Sequence, residues 1–113
     1  MSRSAKQGNI ALIVAFSAVV FLWRPVWADD ASAKLYQSKC VACHAADGGG
    51  STIVGKALHI QDLRDPDIQK QTDLDLTNII TKGKDKMPAF EKTLKPAEIK
   101  GLVEYVRGLG KKN

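Results

Sequence analysis

Five consecutive residues, Cys40-Val41-Ala42-Cys43-His44, hold both cysteines of the chain and one of its two histidines. Three chemistries use parts of this pattern: a redox dithiol, a zinc site and covalent haem attachment. A structural zinc site wants four Cys or His ligands. Beyond the motif only His59 is on offer, and Asp62 to Arg64 stand where a second histidine would have to follow. A thioredoxin-type dithiol expects a strand–helix–strand setting, and no strand pattern is legible here. A disulfide between Cys40 and Cys43 would close a very small loop and stabilise little. Haem attachment fits the spacing. Residues three apart on a helix share a face, so both thiols can reach one edge of a flat macrocycle and form thioethers. His44, four from Cys40, can turn its imidazole in under the ring toward the iron.

A second axial ligand has to come from elsewhere. Met87 lies 43 residues beyond His44 in Lys86-Met87-Pro88, with Gly83 behind it and Phe90 ahead. A thioether is a soft ligand, and His/Met ligation raises the potential of haem iron. A lone methionine is usually core filler, but this one sits in a polar loop whose backbone Pro88 stiffens. His59 is the competing ligand, and the bland reading of it is a solvated loop histidine.

The elements that must position these groups read as helices. Ala31 to Ala42 places Leu35, Tyr36 and Cys40 at helical spacing, with Asp29 and Asp30 suited to the start of the dipole. The glycine-rich Asp47 to Ser51 breaks it, and Thr52 to Leu63 reads as loop. Asp65-Pro66 opens a short helix to about Lys70, with Asp65 as N-cap. Thr72 to Lys82 is a further helix, capped by Thr72 with Asp75 three places on and ended by Gly83. Pro96 to Leu109 carries the clearest apolar stripe, Ile99, Leu102, Val103, Val106 and Leu109. The fold class is therefore all-α, with two long loops.

Residues 1–28 read as a secretory signal peptide. Arg3 and Lys6 precede the apolar run Ile10 to Trp23, and Val26-Trp27-Ala28 supplies small residues for a cut after Ala28. The rival is a retained anchor, but 14 residues make only about 21 Å of helix at ~1.5 Å each, short of a ~30 Å bilayer core. The expected mature domain, residues 29–113, has 85 residues and keeps only Tyr36, Phe90 and Tyr105 as aromatics. That is a thin core for an independent fold, and a bound macrocycle would fill it. The net charge of +5 falls to +2 once Arg3, Lys6 and Arg24 depart. With no basic run and no aromatic platform, nucleic acid is not an expected partner.

Taken in order, Leu35-Tyr36, CVACH, DGGG, KMPAF and the closing EIKGLVEYVRGL resemble the class I cytochrome c family in its small soluble bacterial form. The resemblance covers nearly all of the mature region. It implies a small helical fold around one covalently bound haem c, with Cys40 and Cys43 as thioether links, His44 as proximal and Met87 as distal iron ligand. It also implies that Tyr36 and Tyr105 pair where the first and last helices cross, with Gly101 and Leu102 at the crossing. Where relatives carry Gly-Pro, whose carbonyl orients the proximal imidazole, this chain has Gly55-Lys56. Arg64, His59 and Gln61 are the candidates near the haem propionates.

The expected function is that of an exported, periplasmic, monomeric one-electron carrier between redox proteins, not an enzyme. Lys82, Lys84 and Lys86 around the Met87 loop would steer partners with acidic docking surfaces. A membrane contact is expected only if the N-terminal segment is retained. The alternatives are a haem sensor or peroxidase-like protein whose Met87 dissociates, and an electron-accepting subunit of a dehydrogenase complex.

Overall fold

The computed structural model of the protein describes residues 26–112, with side chains from residue 29 onward. The apolar run Ile10 to Trp23 lies outside the described residues. Within them the elements are α1 (Val26–Lys39), α2 (Val41–His44), α3 (Ile53–Ala57), α4 (Pro66–Gln69), α5 (Asp73–Lys82) and α6 (Pro96–Gly110). No strand is present among the described residues, only an isolated bridge between Lys84 and Met87. No helix of the described residues is long and apolar enough to cross a membrane.

The expected all-α fold is what the chain forms. Helix α6 starts at Pro96, whose fixed φ suits the first helical position. The Lys95 N–H donates to Glu98 Oε2 at 2.7 Å, so the carboxylate caps the entry. The stripe of Ile99, Leu102, Val103, Val106 and Leu109 is buried along its length. Leu102 is only 2% exposed, and burying such a side chain stabilises by about 1.5–3 kcal/mol. One core cluster joins Ile99, Leu102 and Leu109 to Tyr36 of α1 and to Leu94. A second joins Val103 and Val106 to Leu76 of α5.

Helices α1 and α6 cross with Tyr36 and Tyr105 paired, ring centroids 4.7 Å apart at 33°. Gly101 sits at that crossing, where a Cβ would meet the hydroxyl of Ser32. The tyrosine pair and the glycine are therefore where the family resemblance implies. Arg107 ties α6 to the α4–α5 connection. It donates to Gln69 O at 2.6 Å, to Asp73 Oδ1 at 2.9 Å and to the carbonyl of Gln71.

The local expectations hold with three differences. The first helix begins at Val26 and is interrupted at Cys40, so the haem motif sits on the separate short turn α2. The 52–63 region is not all loop. Thr52 accepts the Gly55 N–H at 2.9 Å and caps α3. Asp65 precedes α4 but makes no side-chain cap; only its backbone carbonyl takes part, accepting from the N–H groups of Ile68 and Gln69. By contrast the α5 box is complete: Asp75 N–H donates to Thr72 Oγ1 at 3.1 Å and Thr72 N–H to Asp75 Oδ2 at 3.0 Å.

Candidate functional site

The site is built on α2 and the turn after it. Helix α2 is four residues long and leaves through Ala45, whose φ of 64° and ψ of 164° lie in a region glycine favours. The hydroxyl of Tyr36 donates to Ala45 O at 2.8 Å and is buried in doing so. Burial, first, and then nearby acidic groups push the Tyr36 hydroxyl far above its ordinary pKa. It is a permanent donor that holds the strained exit of α2 against α1.

Segment 50–55 folds back over the end of α2. Gly50 N–H donates to His44 O at 2.8 Å. Thr52 Oγ1 donates to Ala42 O at 2.8 Å, with Cys43 O at 3.3 Å. At Gly55 a Cβ would run into the carbonyl oxygens of both Cys43 and Gly50, so only glycine lets the two segments meet. The neighbouring 62–64 turn is closed by Arg64, which grips Asp62 through Nε at 2.9 Å and Nη2 at 2.7 Å. It also reaches Asp47 at 3.5 Å. That hydrogen bonding holds the Asp62 carboxyl below its usual pKa.

Cys40, Cys43, His44 and Met87 come together around one hollow. Its apolar part is lined by Cys40, His44 and Met87 together with Leu76, Phe90 and Leu102, among others. A second cavity, which shares Cys40, His44, Met87 and Phe90 with it, is lined by both cysteines and Pro88 as well. A third cavity also borders His44 and Met87; no cysteine lines it, and His59, Gln61, Gln71, Lys84 and Lys86 supply its polar groups.

The Met87 loop is pinned by its own backbone. Lys84 N–H donates to Met87 O at 3.2 Å and Met87 N–H to Lys84 O at 2.9 Å. Gly83 has φ 75° and packs on that loop, where a Cβ would lie 2.6 Å from Met87 O.

The electrostatics of the hollow favour neutral groups. Burial lowers the His44 pKa, which keeps its imidazole in the form that can bind a metal. Burial and then Cys43 push the Cys40 thiol up to about 11. The two cysteines form no disulfide with each other. Among the described residues no three His, Cys, Asp or Glu side chains gather as a metal cluster. His44 Nδ1 is buried with no hydrogen-bond partner. An apolar hollow lined by Cys40, an imidazole and a thioether, with Cys43 on the adjoining cavity that shares them, fits a covalently held metal macrocycle.

Not every residue singled out in the sequence joins the site. His59 is exposed, with φ 53°, and lines only the polar cavity. Gln61 lines the same cavity, whereas Arg64 lines none of the three and is committed to Asp62 and Asp47. Lys84 and Lys86 border the site; Lys82 is exposed and borders none of the three cavities. At Gly55-Lys56, the match to the family's Gly-Pro, Gly55 O accepts the Ile60 N–H at 2.9 Å and Lys56 O the His59 N–H at 3.2 Å. Thr52 and Ala45 were not legible as site residues. For Thr52 the available signal was a threonine directly before the apolar pair Ile53-Val54, a helix N-cap pattern.

Comparison with known proteins agrees with this geometry. Residues 28–106 match the family model described as cytochrome c oxidase, cbb3-type, subunit III. The chain is similar to cytochrome c6 of Gloeothece citriformis, with 36% identity over 102 residues, covering 85% of this chain and 87% of the relative. Cytochrome c6 of Anabaena variabilis is 35% identical over 79 residues, 67% of this chain and 85% of the relative. Among solved structures, the c-type cytochrome KustC0563 superposes with a TM-score of 0.64 at 35% identity, covering 69% of this chain and 95% of that one. Fold, hollow and relatives together show that the chain belongs to the cytochrome c family, as a small class I monohaem c-type cytochrome that carries covalently bound haem c and transfers electrons to and from redox partners.

Proposed function

We propose that the protein is exported to the periplasm, loses residues 1–28, and carries single electrons as a monomer with its haem linked through Cys40 and Cys43 and its iron held by His44 and Met87. The observation that carries this reading is the shared lining: His44 and Met87 border the same three cavities, and both cysteines border one of them. When bound, the haem supplies reversible one-electron chemistry at an iron whose potential His/Met ligation raises.

The chain's own part is to hold, shield and present. Leu76, Leu94, Leu102 and Phe90 wall the hollow with apolar surface and keep water from the ligands. The Lys84–Met87 backbone pair fixes the loop that offers the sulfur. With His44 and Met87 both holding the iron, the chain would leave no substrate site at the metal.

The exposed Lys84 and Lys86 border the polar end of the site, and Lys82 stands exposed beside them in sequence. They would attract a partner whose docking face is acidic. Because the matching family model describes an oxidase subunit, oxidase-type acceptors are the first to try.

The test is an optical spectrum of the purified protein, oxidised and reduced, repeated with Met87→Ala. A weak far-red band of the ferric protein that vanishes in the variant supports Met87 as ligand. A wild type without that band means that His59 ligates or the site is open; rapid carbon monoxide binding by the reduced protein marks the open site and favours the sensor or peroxidase-like reading. N-terminal sequencing of the same sample reads the cut after Ala28, and its elution alone or with a dehydrogenase decides between carrier and subunit.

A further inference from the structure

We propose that Tyr36 and Tyr105 form an electron route from the haem site to the outer face of the α1–α6 crossing, a second exit besides the rim that Lys84 and Lys86 border. The inference rests on the reading of His44 as an iron ligand.

A tunnelling electron is carried best by covalent bonds, next by hydrogen bonds, and least across gaps without contact. Each link here is of the better kinds or a tight contact. His44 is one peptide bond from Ala45, and Ala45 O accepts the Tyr36 hydroxyl at 2.8 Å. Tyr36 is 1% exposed and lines the apolar hollow with Cys40 and His44. Its ring lies 4.7 Å from that of Tyr105, centroid to centroid, within the range of packed aromatic pairs.

Tyr105 leads out of the core. It is half-buried and lines two further cavities, one with Asp29, Ser32 and Glu104, the other with Ala46, Asp47 and Arg64. Neither shares a residue with the three cavities that border His44 and Met87. The backbone alone approaches the second of the two, through Ala46. On the Glu104 side the ring pair is what joins the face to the site.

The rings act as a bridge and not as radicals. The Tyr36 hydroxyl donates to a carbonyl oxygen, which accepts the hydrogen bond but does not take the proton, and burial holds that hydroxyl protonated. A one-electron oxidant at the Glu104 face is thus reduced by one electron at the expense of the haem. No proton moves, and neither ring is left oxidised.

The experiment uses haem-loaded protein carrying a ruthenium photo-oxidant on Glu104→Cys or, as control, on Lys82→Cys beside the Met87 loop; both positions are exposed. Flash photolysis reads haem oxidation with Tyr105, Tyr105→Leu and Tyr105→Phe. Leucine removes the ring and is expected to slow transfer to the label at position 104 several-fold, leaving the label at position 82 unaffected. Phenylalanine keeps the ring and is expected to keep the rate. An unchanged rate to position 104 in Tyr105→Leu overturns the route, as does an equal loss at both labels.

Should Tyr105→Leu fail to load haem, nuclear magnetic resonance of the reduced wild type decides alone. A slowly exchanging Tyr36 hydroxyl proton, with proximity signals between the two rings, supports the route. A freely exchanging hydroxyl or rings without those signals overturns it, since a link is then missing. A His44 ring without a paramagnetic shift in the ferric protein means that the ligand reading itself has failed, whatever the labels report.

Discussion

Two glycines of the same chain should respond to alanine in opposite directions. At Gly55 a new Cβ would fall on the carbonyl oxygens of Cys43 and Gly50 and 3.0 Å from the Gly50 carbonyl carbon. These are backbone atoms, and both carbonyls belong to the segments that fix α2. They cannot rotate away as a side chain would. Overpacking of this kind costs about 1–3 kcal/mol, and the upper end is apt because two rigid contacts are violated at once. Alanine returns up to about 1 kcal/mol of helix propensity. The net is a loss of about 2 kcal/mol, or roughly 8–16 °C in melting temperature for a domain of this size. At Gly108 a Cβ meets nothing within 4 Å. Gly108→Ala should keep the propensity gain and raise stability by about 0.5–1 kcal/mol. Denaturation of the haem-loaded proteins, followed by far-ultraviolet circular dichroism at neutral pH, measures both. A Gly55→Ala protein as stable as wild type would refute the claim that bare backbone contact joins α3 to the haem motif.

Further outcomes follow from the same geometry. Ala45→Gly relieves a residue held at φ 64°, ψ 164° and should stabilise by about 1 kcal/mol, read as a higher urea midpoint. Tyr36→Phe removes the buried donor to Ala45 O and should cost about 1–3 kcal/mol in the same titration, the penalty of an unpaired buried carbonyl. Asp75 has its pKa lowered by the Thr72 hydroxyl and N–H. A carboxylate with a depressed folded pKa contributes stability above its unfolded pKa and loses it as pH falls through the folded one. Asp75→Asn should therefore make the stability profile flatter below about pH 4, near the reference value for aspartate; an unchanged acid limb counts against the box. Replacing Lys84 and Lys86 together by glutamine should slow electron transfer to an acidic partner at low salt and leave the rate at high salt unchanged, as stopped-flow kinetics would read.

The sequence by itself determined the chemistry and most of the helices. CVACH carries its meaning in spacing alone, because residues three and four apart share a helical face whatever surrounds them. The α6 stripe and the Thr72–Asp75 box were legible for the same reason: both are local, and their partners lie within one or two turns. What only the tertiary structure decided are contacts between segments distant along the chain. The break at Cys40, the strained exit at Ala45 and the grip of Thr52 on Ala42 arise where residues 50–55 close over α2, and Gly55 can be seen as a requirement only once Cys43 and Gly50 lie against it. Arg64 was a candidate near the haem propionates, but the fold places Asp62 and Asp47 beside it and uses it to close a turn. Charge is written in a residue; what that charge faces is set by packing, and packing joins segments the sequence keeps apart.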